Sequence, residues 1–89
     1  MVQEIRMPKV AQDMQEALII AWVAKQGQQI AQGDVLFELE TDKATMEVES
    51  ITSGTLQKIV IQAGNIAQVQ QIVGYLADSK EELQTHLKK

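Results

Sequence analysis

The stretch Glu40-Thr41-Asp42-Lys43-Ala44-Thr45-Met46-Glu47-Val48-Glu49, read with Val35-Leu36-Phe37-Glu38-Leu39 before it, decides the fold. Place Asp42 and Lys43 at the two central positions of a turn. Thr41 then faces Ala44, Glu40 faces Thr45, Leu39 faces Met46, Glu38 faces Glu47 and Phe37 faces Val48. Strand side chains alternate between faces. Val35, Phe37, Leu39, Met46 and Val48 are therefore expected in the core, with Glu38, Glu40, Glu47 and Glu49 in solvent. Two-residue hairpin loops favour Asn-Gly or Asp-Gly, which accept positive φ. Asp42-Lys43 has no glycine, so a type I turn is expected. Lys43 then stands at a protruding tip, exposed for another enzyme to modify rather than placed to pair with a carboxylate.

Outward from this hairpin, the chain repeats itself. Gly27 falls on Gly64 at an offset of 37, and at the same offset Trp22 falls on Ile59 and Val23 on Val60. Val35 falls on Ile72, Leu36 on Val73 and Leu39 on Leu76. Six matches at one offset imply two similar halves related by an approximate two-fold axis. Strand-like runs are Gln3–Met7, Leu18–Lys25, Val35–Glu40, Thr45–Glu49, Thr55–Ile61 and Ile72–Leu76, with a weaker piece at Ile66–Val69. Pro8, Gly27, Gly33-Asp34, Ser53-Gly54 and Gly64-Asn65 punctuate them. This pattern predicts an all-β fold: a flattened barrel or sandwich of two small antiparallel sheets with quasi-two-fold symmetry. The termini are expected near each other, at the end opposite Lys43.

Composition bounds the function. The 89 residues make one domain, with one Trp, one Tyr and one Phe, so aliphatic side chains must build most of the core. There is no cysteine, which excludes disulfides and thiolate metal sites. The formal net charge of −4 disfavours nucleic acid and suits a basic protein surface. The longest apolar run, Ala17 to Ala24, falls far short of the ~20 residues that span a bilayer. The N-terminus has no signal-peptide pattern, so the expectation is a soluble, monomeric intracellular domain without membrane partners. Residues 78–89 are highly charged. Ser79 with Glu82 makes a capping-box pair, and Leu83 and Leu87 share a helical face, so this tail is either a short helix or the start of a linker.

Candidate catalytic groups are few. His86 is the one histidine and lies in the charged tail, where it reads as solvated. Glu38 and Glu47 form a carboxylate pair on an exposed hairpin that implies no pocket. Like charges directly across strands are mildly destabilising, so this acidic face serves either recognition or solvation. Asp13 and Glu16 read as polar loop residues, and Trp22 as a core anchor. No catalytic residue and no metal ligand set is assigned.

The run Glu40-Thr41-Asp42-Lys43-Ala44 resembles the attachment site of lipoyl domains in the acyltransferase components of 2-oxo acid dehydrogenase complexes. The resemblance extends to Met7-Pro8-Lys9, Gly27, Gly33-Asp34-Val35-Leu36, Gly54-Thr55-Leu56 and Gln62-Ala63-Gly64, covering about Val2 to Ala77. It implies residues 1–77 as the lipoyl domain and Lys43 as the residue joined to lipoic acid. Glu40, Thr41, Asp42 and Ala44 become recognition neighbours for the lipoate–protein ligase or lipoyl transferase. The implied partners are a thiamine-diphosphate-dependent decarboxylase, an acyltransferase core and dihydrolipoamide dehydrogenase, in the bacterial cytoplasm or the mitochondrial matrix. Glu-Thr-Asp-Lys-Ala-Thr-Met-Glu-Val is similar to the pyruvate or acetoin types. The domain would carry intermediates and catalyse no step itself. The sequence departs from the family at Ala17, where glycine is usual and where the repeat places Gly54. It departs again at Val69-Gln70-Gln71-Ile72, which lacks the usual glycine or asparagine and the proline.

Three alternatives stay open. A biotin carrier domain also modifies a hairpin lysine, but its sites resemble Met-Lys-Met, whereas Lys43 lies between Asp42 and Ala44. An unmodified lipoyl-like scaffold, as in membrane-export adaptors, typically lacks the acidic surround. A glycine-cleavage carrier protein is similar to longer chains with extra helices.

Overall fold

The computed structural model describes residues 2–88. Among these residues, eight strands are followed by one helix: β1 Gln3–Arg6, β2 Glu16–Trp22, β3 Gln29–Ile30, β4 Val35–Glu40, β5 Thr45–Glu49, β6 Gly54–Ile59, β7 Ile66–Gln68, β8 Ile72–Ala77 and α1 Lys80–Leu87. They form two four-stranded sheets, ordered β1-β8-β6-β3 and β5-β4-β2-β7. Every pairing is antiparallel. The two sheets bury Phe37, Met7, Ile19, Ile30, Leu39, Leu56, Leu76 and Val73 almost completely between them. Each such side chain contributes about 1.5–3 kcal/mol of apolar burial.

The repeat seen in the sequence is a repeat of hydrogen-bond register. In one sheet Leu18 pairs with Glu40, Ile19 with Leu39, Ala21 with Glu38 and Trp22 with Phe37. In the other Thr55 pairs with Ala77, Leu56 with Leu76, Lys58 with Tyr75 and Ile59 with Gly74. Each is the first set advanced by 37, and each carries a bulge at the matching step. The short strands obey the same relation: Ala17 pairs with Ala67, and Ile30 with Gly54. β5 and β1 are also equivalent, at a second offset of 43: Val48 pairs with Phe37 as Ile5 pairs with Gly74. The pairing of Gln3 with Leu76 brings the first and last strands together, in the place that the Lys43 hairpin holds in the other half.

Several sequence expectations are corrected. β3 was not among the expected strands. It is two residues long, and alternation has nothing to act on over so short a run. Met46 is 43% exposed rather than buried, although it pairs with buried Leu39 as expected. It lies on β5, an edge strand covered from one side only. Val35 is only half-buried, and its neighbour Leu36 is the buried residue. A register shift between Val35 and Phe37 rephases the alternation, and the N–H groups of Val23 and Ala24 both donate to the Leu36 carbonyl, at 2.9 and 3.0 Å. Glu16 opens β2 instead of lying in a loop.

The charged tail folds as α1. The Ser79 hydroxyl oxygen accepts from the Glu82 N–H at 3.1 Å, satisfying one of the free donors of the first turn. The Glu82 carboxylate accepts from the Asp78 N–H at 3.2 Å, a reciprocal contact of the capping-box kind. Leu83 is buried in a small second cluster with Tyr75 and Ala77, against Val2 and Ile72. That cluster ties α1 to the outer face of the first sheet. His86, expected to be solvated, instead lies 3.2 Å from a Glu4 carboxylate oxygen and meets the Tyr75 ring edge-on at 6.0 Å.

Candidate functional site

The β4–β5 hairpin takes the expected register: Phe37 opposite Val48, Glu38 opposite Glu47, Leu39 opposite Met46 and Glu40 opposite Thr45. Thr41 and Ala44 close its tip. The Thr41 N–H donates to the Ala44 carbonyl at 2.8 Å, and the Thr41 hydroxyl donates to the same oxygen at 3.2 Å. That hydroxyl oxygen accepts from the N–H groups of Lys43 and Ala44, both at 3.2 Å. Threonine fits here because its β-branch suits the strand end and its hydroxyl stands in for missing ladder partners. Gln70 is the one non-glycine residue with positive φ among the described residues. Asp42 and Lys43 therefore have negative φ, which rules out a type I′ turn and agrees with type I.

The Lys43 side chain is 66% exposed and projects from this clamped tip. Its Nζ donates to an Asp13 carboxylate oxygen at 3.2 Å. The expectation of an amine without a carboxylate partner is therefore corrected, while Asp13 lies in a loop and exposed, as expected. The two residues are 30 positions apart, and no spacing rule joins them. Asp13 is 75% exposed, so the pair sits in water and contributes about 1 kcal/mol at most.

Glu40, Asp42 and Ala44 are exposed beside the lysine, and Thr41 is half-buried by its clamp. A shallow groove runs from Lys43 along Thr41 and Glu40 to Leu18 and Ile66. Ile66 is 58% exposed there. Glu38, half-buried, and Glu47, exposed, stand directly across from each other on the outer face. Among the described residues, no cation pairs with either. No group of three or more His, Asp or Glu side chains among the described residues could hold a metal. No described helix is long and apolar enough to cross a membrane.

These residues fit an acyl group on Lys43 Nζ. The amine is primary, open to solvent and carried on a braced turn. Acylation would remove its charge and leave only Asp13 without its cation. Because Asp13 is itself exposed, no buried charge would be orphaned.

Residues 3–76 match the family model for biotin and lipoyl attachment described as "Biotin-requiring enzyme". The dihydrolipoyllysine-residue acetyltransferase component of the pyruvate dehydrogenase complex of Rhizobium meliloti is 41% identical over 85 residues, which are 94% of this chain and 19% of that protein. The chain thus spans about a fifth of the length of this relative. Among solved structures, the lipoyl domain of the 2-oxoglutarate dehydrogenase complex from Azotobacter vinelandii superposes with a TM-score of 0.69 at 24% identity, covering 83% of this chain and 94% of that one. Kluyveromyces lactis urea carboxylase superposes with a TM-score of 0.72 at 19% identity, over 86% of this chain and 6% of that one. At these identities the two structures speak for the fold alone. The family match across nearly the whole chain, on the two-sheet frame with a lysine at a hairpin tip, places this chain in the biotin- and lipoyl-attachment domain family.

Proposed function

We infer that this chain is the lipoyl carrier domain of a 2-oxo acid dehydrogenase complex acyltransferase of the pyruvate type, with Lys43 as the attachment residue. The observation that carries this reading is an exposed primary amine on a clamped turn, in a chain 41% identical to a pyruvate dehydrogenase acetyltransferase component. Attachment would join Nζ to the lipoyl carbonyl. Lipoate and ATP give a lipoyl adenylate and pyrophosphate; Nζ attacks the adenylate's carbonyl, AMP leaves, and the ammonium nitrogen gives up two protons and keeps one as a neutral amide. Once attached, the dithiolane supplies acyl and two-electron carriage. The protein's own part is mechanical. Thr41 holds the turn, Glu40, Asp42 and Ala44 present recognition groups to the attaching enzyme, and the β4–β5 ladder carries the tip. Tethering raises the effective concentration of the carried group at each partner site. The partners in this reading are the thiamine-diphosphate-dependent decarboxylase, the acyltransferase core and dihydrolipoamide dehydrogenase. The setting is the bacterial cytoplasm or the mitochondrial matrix, and the unit comprises residues 1–77.

The test is intact mass with peptide mapping after incubation with lipoate, ATP and a lipoate–protein ligase. One lipoyl amide on Lys43 is expected, and none on Lys43→Arg, which should keep the same fold. Biotin added by a biotin ligase instead would transfer the domain to the carboxylases, one of which contains a segment of the same fold. No addition from either enzyme would leave an unmodified scaffold and sink the reading.

A further inference from the structure

The two halves of the molecule differ most in one connection, and it is the one beside Lys43. β5 passes to β6 through residues 50–53, whereas the equivalent passage from β1 to β2 takes residues 7–15. Both connections start alike. The Met7 and Ser50 N–H groups donate to Gln71 and Asp34 carbonyls at 2.9 and 2.8 Å. The longer loop is then pinned by Met7 and Met14, both buried, and by the Val69 N–H donating to the Gln15 carbonyl at 2.9 Å. Its exposed crest folds on itself: the Met14 N–H donates to the Ala11 carbonyl at 3.1 Å, and the Val10 N–H to Met14 Sδ at 3.4 Å. The contact from the crest's polar side chains to the hairpin is the Asp13 carboxylate on Lys43 Nζ. The added loop length thus brings a carboxylate to the one amine the hairpin presents.

We propose that Asp13 is a positioning residue that ties the 7–15 loop to Lys43 only while Nζ is charged, so that the loop registers whether the lysine has been modified. This rests on Lys43 as the attachment residue. Before modification, the ammonium and the carboxylate hold each other and the crest stays closed on the hairpin. Amide formation removes the charge from Nζ. The attraction to Asp13 is then lost, and the loop is held by its two internal hydrogen bonds, its buried methionines, the packing of Ala11 on the core and the Val69–Gln15 hydrogen bond. An exposed pair of this kind shifts a local equilibrium by about two- to five-fold, so the loop is biased between states rather than locked.

Hydrogen exchange at the Val10 and Met14 amides reads the coupling. Asp13→Asn and Lys43→Gln should each speed exchange at these amides about two- to five-fold, with strand amides of β4 unchanged. The double variant should be no faster than either single one, because both remove the same contact. Asp13→Glu should restore slow exchange, and 1 M salt should bring the parent protein to the rate of the variants. The lipoylated domain should match Lys43→Gln. Single variants that exchange at the parent rate, or effects that add in the double variant, would overturn the coupling. Loosened variants alongside a lipoylated sample that keeps the parent rate would overturn the registering of modification. If Lys43 accepts no acyl group while Lys43→Gln still loosens the crest, the attachment reading fails and the ion-pair coupling stands.

Discussion

The two sheets are one design used twice, and they differ where the chain leaves the shared register. In the first sheet, Tyr75, Ala77, Ile72 and Val2 form an apolar bed for Leu83 of α1. The equivalent positions in the second sheet are Glu38, Glu40, Val35 and Thr45, and no described element covers them. One face is closed by the chain itself and the other is open and acidic. Glu4 and Glu47 are equivalents, yet Glu4 lies between Arg6 at 2.6 Å and His86 at 3.2 Å, while Glu47 faces Glu38. The inner positions differ too. Phe37 is fully buried, and its equivalent is Gly74, where an added Cβ would stand 2.9 Å from the Lys58 carbonyl oxygen and 3.3 Å from the Trp22 ring. A two-fold frame can thus stay constant in its hydrogen bonds while the side chains make one half structural and leave the other half to present a site.

Substitution can break this contrast at four levels. The largest effect is expected at Phe37. Phe37→Ala should cost about 3–5 kcal/mol, because Trp22, 4.9 Å away ring to ring, cannot fill the space from both sides. Urea or thermal unfolding measures it, and a loss under 1 kcal/mol would mean that the sheets close over the gap. Next is Leu83→Ala, which should cost about 2 kcal/mol and free α1 without disturbing the hairpin. Loss of helical signal with unchanged Lys43 and Thr41 resonances is the expected pattern, and shifts at the hairpin would show that the two faces are not independent.

The third level is the turn pair. Gly33, at φ +94°, is equivalent to Gln70, at φ +74°, and the N–H of each donates to the start of the connection opposite, at 2.8 and 2.9 Å. A side chain in this left-handed region is strained. Gln70→Gly should therefore stabilise by about 0.5–1 kcal/mol, even after the added freedom of glycine in the unfolded chain. A stability loss would mean that Gln70 makes a favourable contact outweighing its strain.

The smallest effects are electrostatic. Glu47→Gln removes a like-charge pair and should stabilise by roughly a few tenths of a kcal/mol. Glu4→Gln should do the opposite. The hydrogen bond from Arg6, and after it that from His86, holds the Glu4 carboxyl below its ordinary value near 4.5. A depressed folded-state value means that this stabilisation is complete above about pH 4.5 and lost as pH falls through the folded value. Urea midpoints of parent and Glu4→Gln should differ at pH 6 and converge in stronger acid. A gap that persists at low pH would show that the loss comes from packing instead of charge.

Much of the frame was legible in the sequence because alternation and a fixed offset are properties of the chain itself. The hairpin register came from five facing pairs, and the offset of 37 correctly related β2 to β6 and β4 to β8. What stayed hidden depended on neighbours distant in sequence. The equivalence of β1 with β5 was masked by the longer 7–15 loop, which changes the offset to 43. β3 could have been found by carrying Ala67 back onto Ile30 at the same offset as the other pairs. The exposure of Met46 follows from which strand ends a sheet, and alternation does not encode that. The site divides in the same way. Local turn chemistry placed Lys43 at the tip, but the partner of its amine came from a loop that only the fold brings near. The partner of His86 is hidden for the same reason, since its acidic neighbour Glu4 lies on the first strand.

Trp22 is the only tryptophan in the chain, and it sits on the seam between the sheets. It belongs to β2, tilts against Phe37 of β4, reaches over Gly74 of β8 and donates its indole N–H to the Ile61 carbonyl at 2.8 Å. The molecule therefore carries an intrinsic optical gauge of sheet separation. The indole is half-buried, so parting the two layers would wet it further and shift its emission to the red, while events at the hairpin tip or the loop crest are expected to leave its spectrum still. Fluorescence then follows the scaffold, the Val10 and Met14 amides follow the site, and one sample can report on both without an added label.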